Sequence, residues 1–152
     1  MSLRARLANE LKQATKNRDT LRLSTLRLIH ATIKDREIAR RGDEEAGEMS
    51  DADLIAILTR MVKQRHESAR AFEEGGRMEL AEQERAEVTI LEEFLPRQMS
   101  EAEVHAAIEE EIAQTGAASI RDMGRVMAGL KDRYTGQMDF GKVGPMVRSR
   151  LG

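Results

Sequence analysis

The stretch Ile90-Leu91-Glu92-Glu93-Phe94-Leu95-Pro96-Arg97-Gln98-Met99-Ser100-Glu101-Ala102-Glu103 divides the chain. Pro96 disfavours the α conformation at Leu95, so a helix arriving from the N-terminal side must end there. Ser100 and Glu103 have the spacing of a capping box, in which each side chain satisfies the other's backbone N–H, so a new helix begins at once. The interruption predicts an all-α protein of two parts, an N-terminal helical domain over 1–96 with long helices and a small three-helix domain over 97–152.

Working back from the break, Leu80, Val88, Leu91 and Leu95 form the apolar series of a helix over about 78–94. Gly75-Gly76 precedes it, with one glycine available for a left-handed C-terminal cap. A long helix to about Glu74 begins at Ser50-Asp51-Ala52-Asp53, a capping box with Asp in place of Glu. Leu54, Leu58, Met61, Ala69 and Phe72 share one of its faces. Gly42 to Met49 is acidic and reads as an exposed loop. Before it, a helix to about Arg41 carries Leu23, Leu26, Leu28, Ile29, Ile33 and Ile38. These lie on so many sides that its first half is expected at the centre of the bundle. A first helix is capped by Ser2 and spaces Leu3, Leu7, Leu11 and Ala14 helically. It breaks at Asn17-Arg18-Asp19-Thr20, where Asp19 or Thr20 caps the next.

Beyond the break, Val104, Ile108 and Ile112 face inward on a helix over about 101–114, ended by Gly116. Ser119 and Asp122 open a second helix whose apolar face is Ile120, Met123, Val126, Met127 and Leu130. Gly124 beside that face is expected to admit another helix closely. A third helix covers about 139–151 under an Asp139 cap, and Pro145 must kink it or delay its start.

The composition narrows the chemistry. There is no cysteine among 152 residues, which excludes disulfides, thiolate nucleophiles and Cys-ligated metals. Aromatic residues are only 3%, against the stacking platforms of single-strand RNA readers. No signal-peptide run and no span of about 20 apolar residues is present, so a cytoplasmic, non-membrane protein is expected. The net charge of −2 conceals an asymmetry. Residues 1–41 hold 11 basic and 4 acidic side chains, 42–116 hold 7 and 20, and 117–152 hold 7 and 3. Two basic ends flanking an acidic middle suit either a nucleic-acid face or mutual neutralisation in the fold.

Catalytic constellations are lacking. No Gly-x-Ser-x-Gly elbow or phosphate-cradling glycine loop occurs. His105 and Glu109, at i and i+4, offer two ligands, too few for a metal site. Glu92-Glu93 and Glu109-Glu110-Glu111 read as solvated faces rather than acid–base pairs. One position stands out: Arg65 projects into the middle of the Leu58, Met61, Ala69, Phe72 stripe, with Ser68 at its border. An inward arginine needs an acceptor, which makes it either a structural ion pair or the wall of a partner groove. Lys131, Arg133, Lys142, Arg148 and Arg150 near the C-terminus are the residues available to neutralise phosphates.

Several blocks together resemble the YqeY-like family of small bacterial proteins. They are Leu26-Arg27-Leu28; Lys63-Gln64-Arg65 with Ser68 and Phe72; Ile90 to Ser100 around Pro96; and Asp122-Met123-Gly124-Arg125-Val126-Met127 with Gly136 and Asp139. The resemblance implies an all-helical, two-part protein similar to the tail of the B subunit of glutamine-dependent aminoacyl-tRNA amidotransferase, a tail that contacts tRNA. The chain would then be a free-standing tail: a non-catalytic RNA-binding accessory protein needing no cofactor. Its implied partners are tRNA and an amidotransferase or aminoacyl-tRNA synthetase component. The family's association with carbon–nitrogen ligase activity, glutamine as amide donor, would belong to those partners, since 152 residues cannot hold kinase and amidase domains as well. Met123, Gly124 and Met127 would serve helix packing. Gln137-Met138 and Pro145 depart from the family pattern. The alternative is a protein–protein adaptor using the acidic helices or the Arg65 groove.

Overall fold

A computed structural model describes residues 2–42 and 49–152. Residues 43–48, most of the expected acidic loop, lie outside the described residues. The described chain is all-α, with no strand, and clusters into two units, Met1–Leu95 and Pro96–Gly152.

In the first unit, α1 (Leu3–Asn17) is capped by the Ser2 hydroxyl, which accepts from the Ala5 N–H at 3.1 Å. It ends at Arg18, held in the left-handed region at φ 54°. Asp19 is the cap of α2 (Thr20–Arg40), its carboxylate accepting from the Arg22 N–H at 3.3 Å. The Ser50/Asp53 capping box starts α3 (Asp51–Glu74). Gly76, at φ 74°, closes it. The Gly76 and Arg77 N–H groups donate to the Glu73 and Phe72 carbonyls, capturing two orphan acceptors of the last turn. α4 (Met78–Glu92) stops two residues short of the expected Phe94. The Phe94 and Leu95 N–H groups instead make i→i−3 bonds, the tightened turn that leads into Pro96.

Leu26, Ile29, Leu58 and Leu91 are fully buried at the heart of this unit. Each contributes about 1.5–3 kcal/mol by leaving water. α2 packs against α1, α3 and α4, yet it is not enclosed. Within the half expected at the centre of the bundle, Leu26 and Ile29 are buried but Leu28 is 45% exposed, and Ile38 beyond that half is 49% exposed. Met49, expected in an exposed loop, is half-buried against the core.

In the second unit, the Ser100/Glu103 capping box begins α5 (Glu101–Thr115), and Gly116 ends it at φ 68°. The Asp122 carboxylate accepts from the Ala118 and Ser119 N–H groups at the head of a short 3-10 turn. α6 (Met123–Arg133) follows, then α7 (Phe140–Leu151) under an Asp139 cap. Pro145 neither delays nor ends α7; the helix begins at Phe140 and continues past it, with the ring exposed. Ile120 is exposed rather than part of the α6 apolar face. Gly124 is also corrected: a side chain there would meet nothing within 4 Å. Glu111 of α5 occupies the space over Gly129, whereas a side chain at Gly144 would make only ordinary contact with the methyl groups of Met123 and Met127.

Candidate nucleic-acid interface

The five cations proposed from the sequence have three different fates. Arg133 hydrogen-bonds Gln114 and lies 3.5 Å from the Glu111 carboxylate and 4.0 Å from that of Glu110. Arg150 pairs with Glu109 and stands 3.3 Å from Nδ1 of His105. Both are thus tied to α5. Lys131, Lys142 and Arg148 are exposed and have no ion pair among the described residues. At about 100° per residue, Lys142 and Arg148 lie some 120° apart around α7, so the basic residues do not form one stripe. Arg133 and Arg150 belong to the unit's internal electrostatics.

The family motif on α6 packs as helix-facing apolar residues should. Val126 is fully buried, while Met123 and Met127 are half-buried against the core and reach the Gly144 backbone. The Pro96 block sets up the head of α5. Arg97 grips Glu103 through two hydrogen bonds, 3.1 and 2.7 Å. This pair, with the Ser100 N–H, lowers the Glu103 carboxyl to a pKa of about 2.

On the first unit, Arg65 is 9% exposed, and its Nε donates to Glu87 of α4 at 3.0 Å while another guanidinium N–H donates to the Met61 carbonyl at 3.2 Å. It is a structural tie between α3 and α4. Outside it lies an open groove of about 630 Å³ lined by Gln64, Arg65, Glu67, Ser68, Ala71 and Glu84. Burial, reinforced by the neighbouring Glu87 carboxylate, raises the Glu84 pKa. Phe72 is half-buried near the end of α3. No group of three metal-ligating side chains occurs among the described residues.

Two features escaped the sequence reading. Arg22 bonds both Glu10 and Glu93, at 2.7 and 2.5 Å, and with Arg6 it stacks over Phe94, which is 3% exposed. Nothing local signals this, since Arg6 and Phe94 are 88 residues apart. Glu111 is 6% exposed, with Oε2 lacking a hydrogen-bond partner. Its signal was present: Glu111 is seven residues after Val104 and three after Ile108, on the apolar face of α5.

The fold defines a helical protein of two units, with an open polar groove on the first and exposed cations without ion pairs among the described residues on the second. The chain belongs to the Yqey-like protein family, whose model matches residues 4–151. Among its relatives is "Altered inheritance of mitochondria protein 41, mitochondrial" from Clavispora lusitaniae, 34% identical over 94 residues, 62% of this chain and 52% of that protein. The Eremothecium gossypii protein of the same name is 29% identical over 119 residues, 78% of this chain and 60% of that protein. An uncharacterized protein of Schizosaccharomyces pombe is 27% identical over 99 residues, covering 65% of this chain and 76% of it. The chain spans about half the length of the first two curated relatives it matches. These relatives are fungal, so the family is not confined to bacteria. No helix of the described chain is long and apolar enough to cross a membrane.

Proposed function

We propose that this protein is a non-catalytic helical accessory module that binds tRNA through its phosphate backbone and serves glutamine-dependent tRNA amidation carried out by partner enzymes. The observation that carries the reading is the solvated state of Lys131, Lys142 and Arg148. They stand without acidic partners among the described residues, on the unit that bears the tail-like Met123–Met127 motif. A solvated cation exchanges its hydration for a phosphate at little cost, whereas one already held by a carboxylate must first give that bond up. In this reading the protein works in the cytoplasm, alongside the synthetases and amidotransferases that handle the same RNA, and contributes binding rather than chemistry.

The test is binding of total tRNA to the full chain at about 50 and 200 mM salt. Three phosphate contacts weaken binding about fortyfold across that range. Replacing Lys131, Lys142 or Arg148 singly by Ala lowers the salt slope by about one, and Arg150→Ala leaves it unchanged. Absence of binding at the lower salt, or a slope indifferent to all three residues, overturns the proposal.

A further inference from the structure

α2 carries more apolar surface than its own unit uses. Leu26, Ile29 and Ile33 fill the core, while Leu21, Leu28 and Ile38 face solvent at 36%, 45% and 49% exposure. These are three of the five large hydrophobic side chains most exposed in the described chain, and they stand on one helix. At about 100° per residue, Leu21, Leu28, Ala31 and Ile38 fall within a sector about 100° wide, directed away from the core, and run about 25 Å along the axis. Arg27 and Lys34, seven residues apart, follow one edge of this strip. Neither has an ion pair or side-chain hydrogen bond among the described residues. Asp35 is the only acidic residue in the sector. The Ser24 and Thr32 hydroxyls are turned back onto the Leu21 and Leu28 carbonyls, leaving the strip's surroundings with few free polar groups.

A helix apolar on two opposite faces is expected to be covered on both. We propose that the outer face of α2 docks an acidic amphipathic helix of a partner protein. Leucine-type side chains of the partner lie along Leu21, Leu28 and Ile38, and its carboxylates pair with Arg27 and Lys34. The chemistry favours this occupant over a nucleic acid, because aliphatic side chains give phosphates nothing and the strip has no aromatic ring on which a base can stack. The surface lies on a different unit from Lys131, Lys142 and Arg148, and the inference stands independently of tRNA binding.

The experiment titrates the isotope-labelled full chain with a synthetic helical peptide of about 18 residues, leucines on one face and glutamates on the other. Saturable amide shifts centred on Leu21, Leu28 and Ile38 are expected. Leu28→Asp, or Arg27→Glu combined with Lys34→Glu, weakens binding about tenfold or more, while Lys131→Ala leaves it unchanged. All the altered side chains are solvent-exposed, and circular dichroism verifies the fold of each variant. Four outcomes overturn the inference: no saturable shift up to about 1 mM peptide; equal binding of a peptide with lysines in place of the glutamates; shifts mapping to another surface; or a self-association or anionic-vesicle binding that Leu28→Asp abolishes. The last would show that a second copy or a lipid surface covers the strip.

Discussion

The two units bury apolar surface in different ways. The main core cluster of the first holds thirteen buried hydrophobic residues with six half-buried ones against them, built mainly from Leu and Ile. The second reverses the proportion, seven against ten, and five of the seventeen are methionines. A short helix trio has too little interior to enclose all its side chains, so most core residues stay at the edge. Methionine, unbranched and adaptable, fills such irregular gaps without a single preferred shape. The contrast extends to buried charge. Arg65 of the first unit meets both Glu87 and a backbone carbonyl, whereas Glu111 of the second leaves one oxygen without a hydrogen bond. A branched-aliphatic core and a satisfied ion pair specify one arrangement closely. The methionine-filled unit, whose buried Glu111 meets Arg133 at 3.5 Å through an oxygen that accepts no hydrogen bond, is expected to tolerate rearrangement more readily.

The largest test of this contrast compares the half-buried carboxylate of Glu87, paired with the buried Arg65, with the buried carboxylate of Glu111. Glu87→Leu strands Arg65 between α3 and α4 and is expected to cost about 3–5 kcal/mol, read by urea denaturation. Glu111→Met removes a poorly satisfied charge and is expected to change stability by about 1 kcal/mol or less, in either direction. Equal losses would remove the distinction. Tyr134, the only tyrosine in a chain without tryptophan, lies in the second unit and reports on it through fluorescence.

A smaller effect separates two glycines of α6. Gly124→Ala adds a methyl group in open space and gains up to about 1 kcal/mol of helix propensity. Gly129→Ala drives its methyl group into the Glu111 carboxylate and is expected to lower the Tyr134 transition instead. A stabilised Gly129→Ala would show that Glu111 moves aside freely, making the second unit softer still.

The smallest expected effect is on acid. Glu103 has its pKa lowered to about 2, chiefly by Arg97, so its contribution to the second unit is complete above the unfolded value of 4.5. That contribution disappears as pH falls toward about 2. Glu84 of the first unit is shifted upward by burial, so protonation favours the folded state as pH falls through its raised pKa. Glu103→Gln should flatten the low-pH limb of the Tyr134 transition and leave the first unit's response unchanged. An unaltered limb would show that the Arg97 pair is too solvated to matter.

Local signals were legible wherever a few adjacent residues carried the physics. The Ser50/Asp53 and Ser100/Glu103 boxes, the left-handed Gly76 and Gly116, and the Asp139 cap all appear at the expected positions. Inward projection of Arg65 was legible too, because a charge on an apolar stripe has few alternatives. What failed were inferences from one helix about its neighbours. Leu28 was counted toward a central first half of α2, and Gly124 toward a close contact. In each case the decisive quantity was where another helix ran.

The sequence by itself determined the helices, most of their ends and inward faces, and the family, because capping, backbone restriction and the 3.6-residue period act within a few residues of one another. Only the tertiary structure decided that Arg133 and Arg150 are held by α5, that Glu111 occupies the space over Gly129, and that α2 keeps an apolar strip in solvent. Those outcomes depend on distances between residues far apart in the chain. Burial and ion pairing are set by those distances, and the amphipathic pattern of a single helix does not contain them.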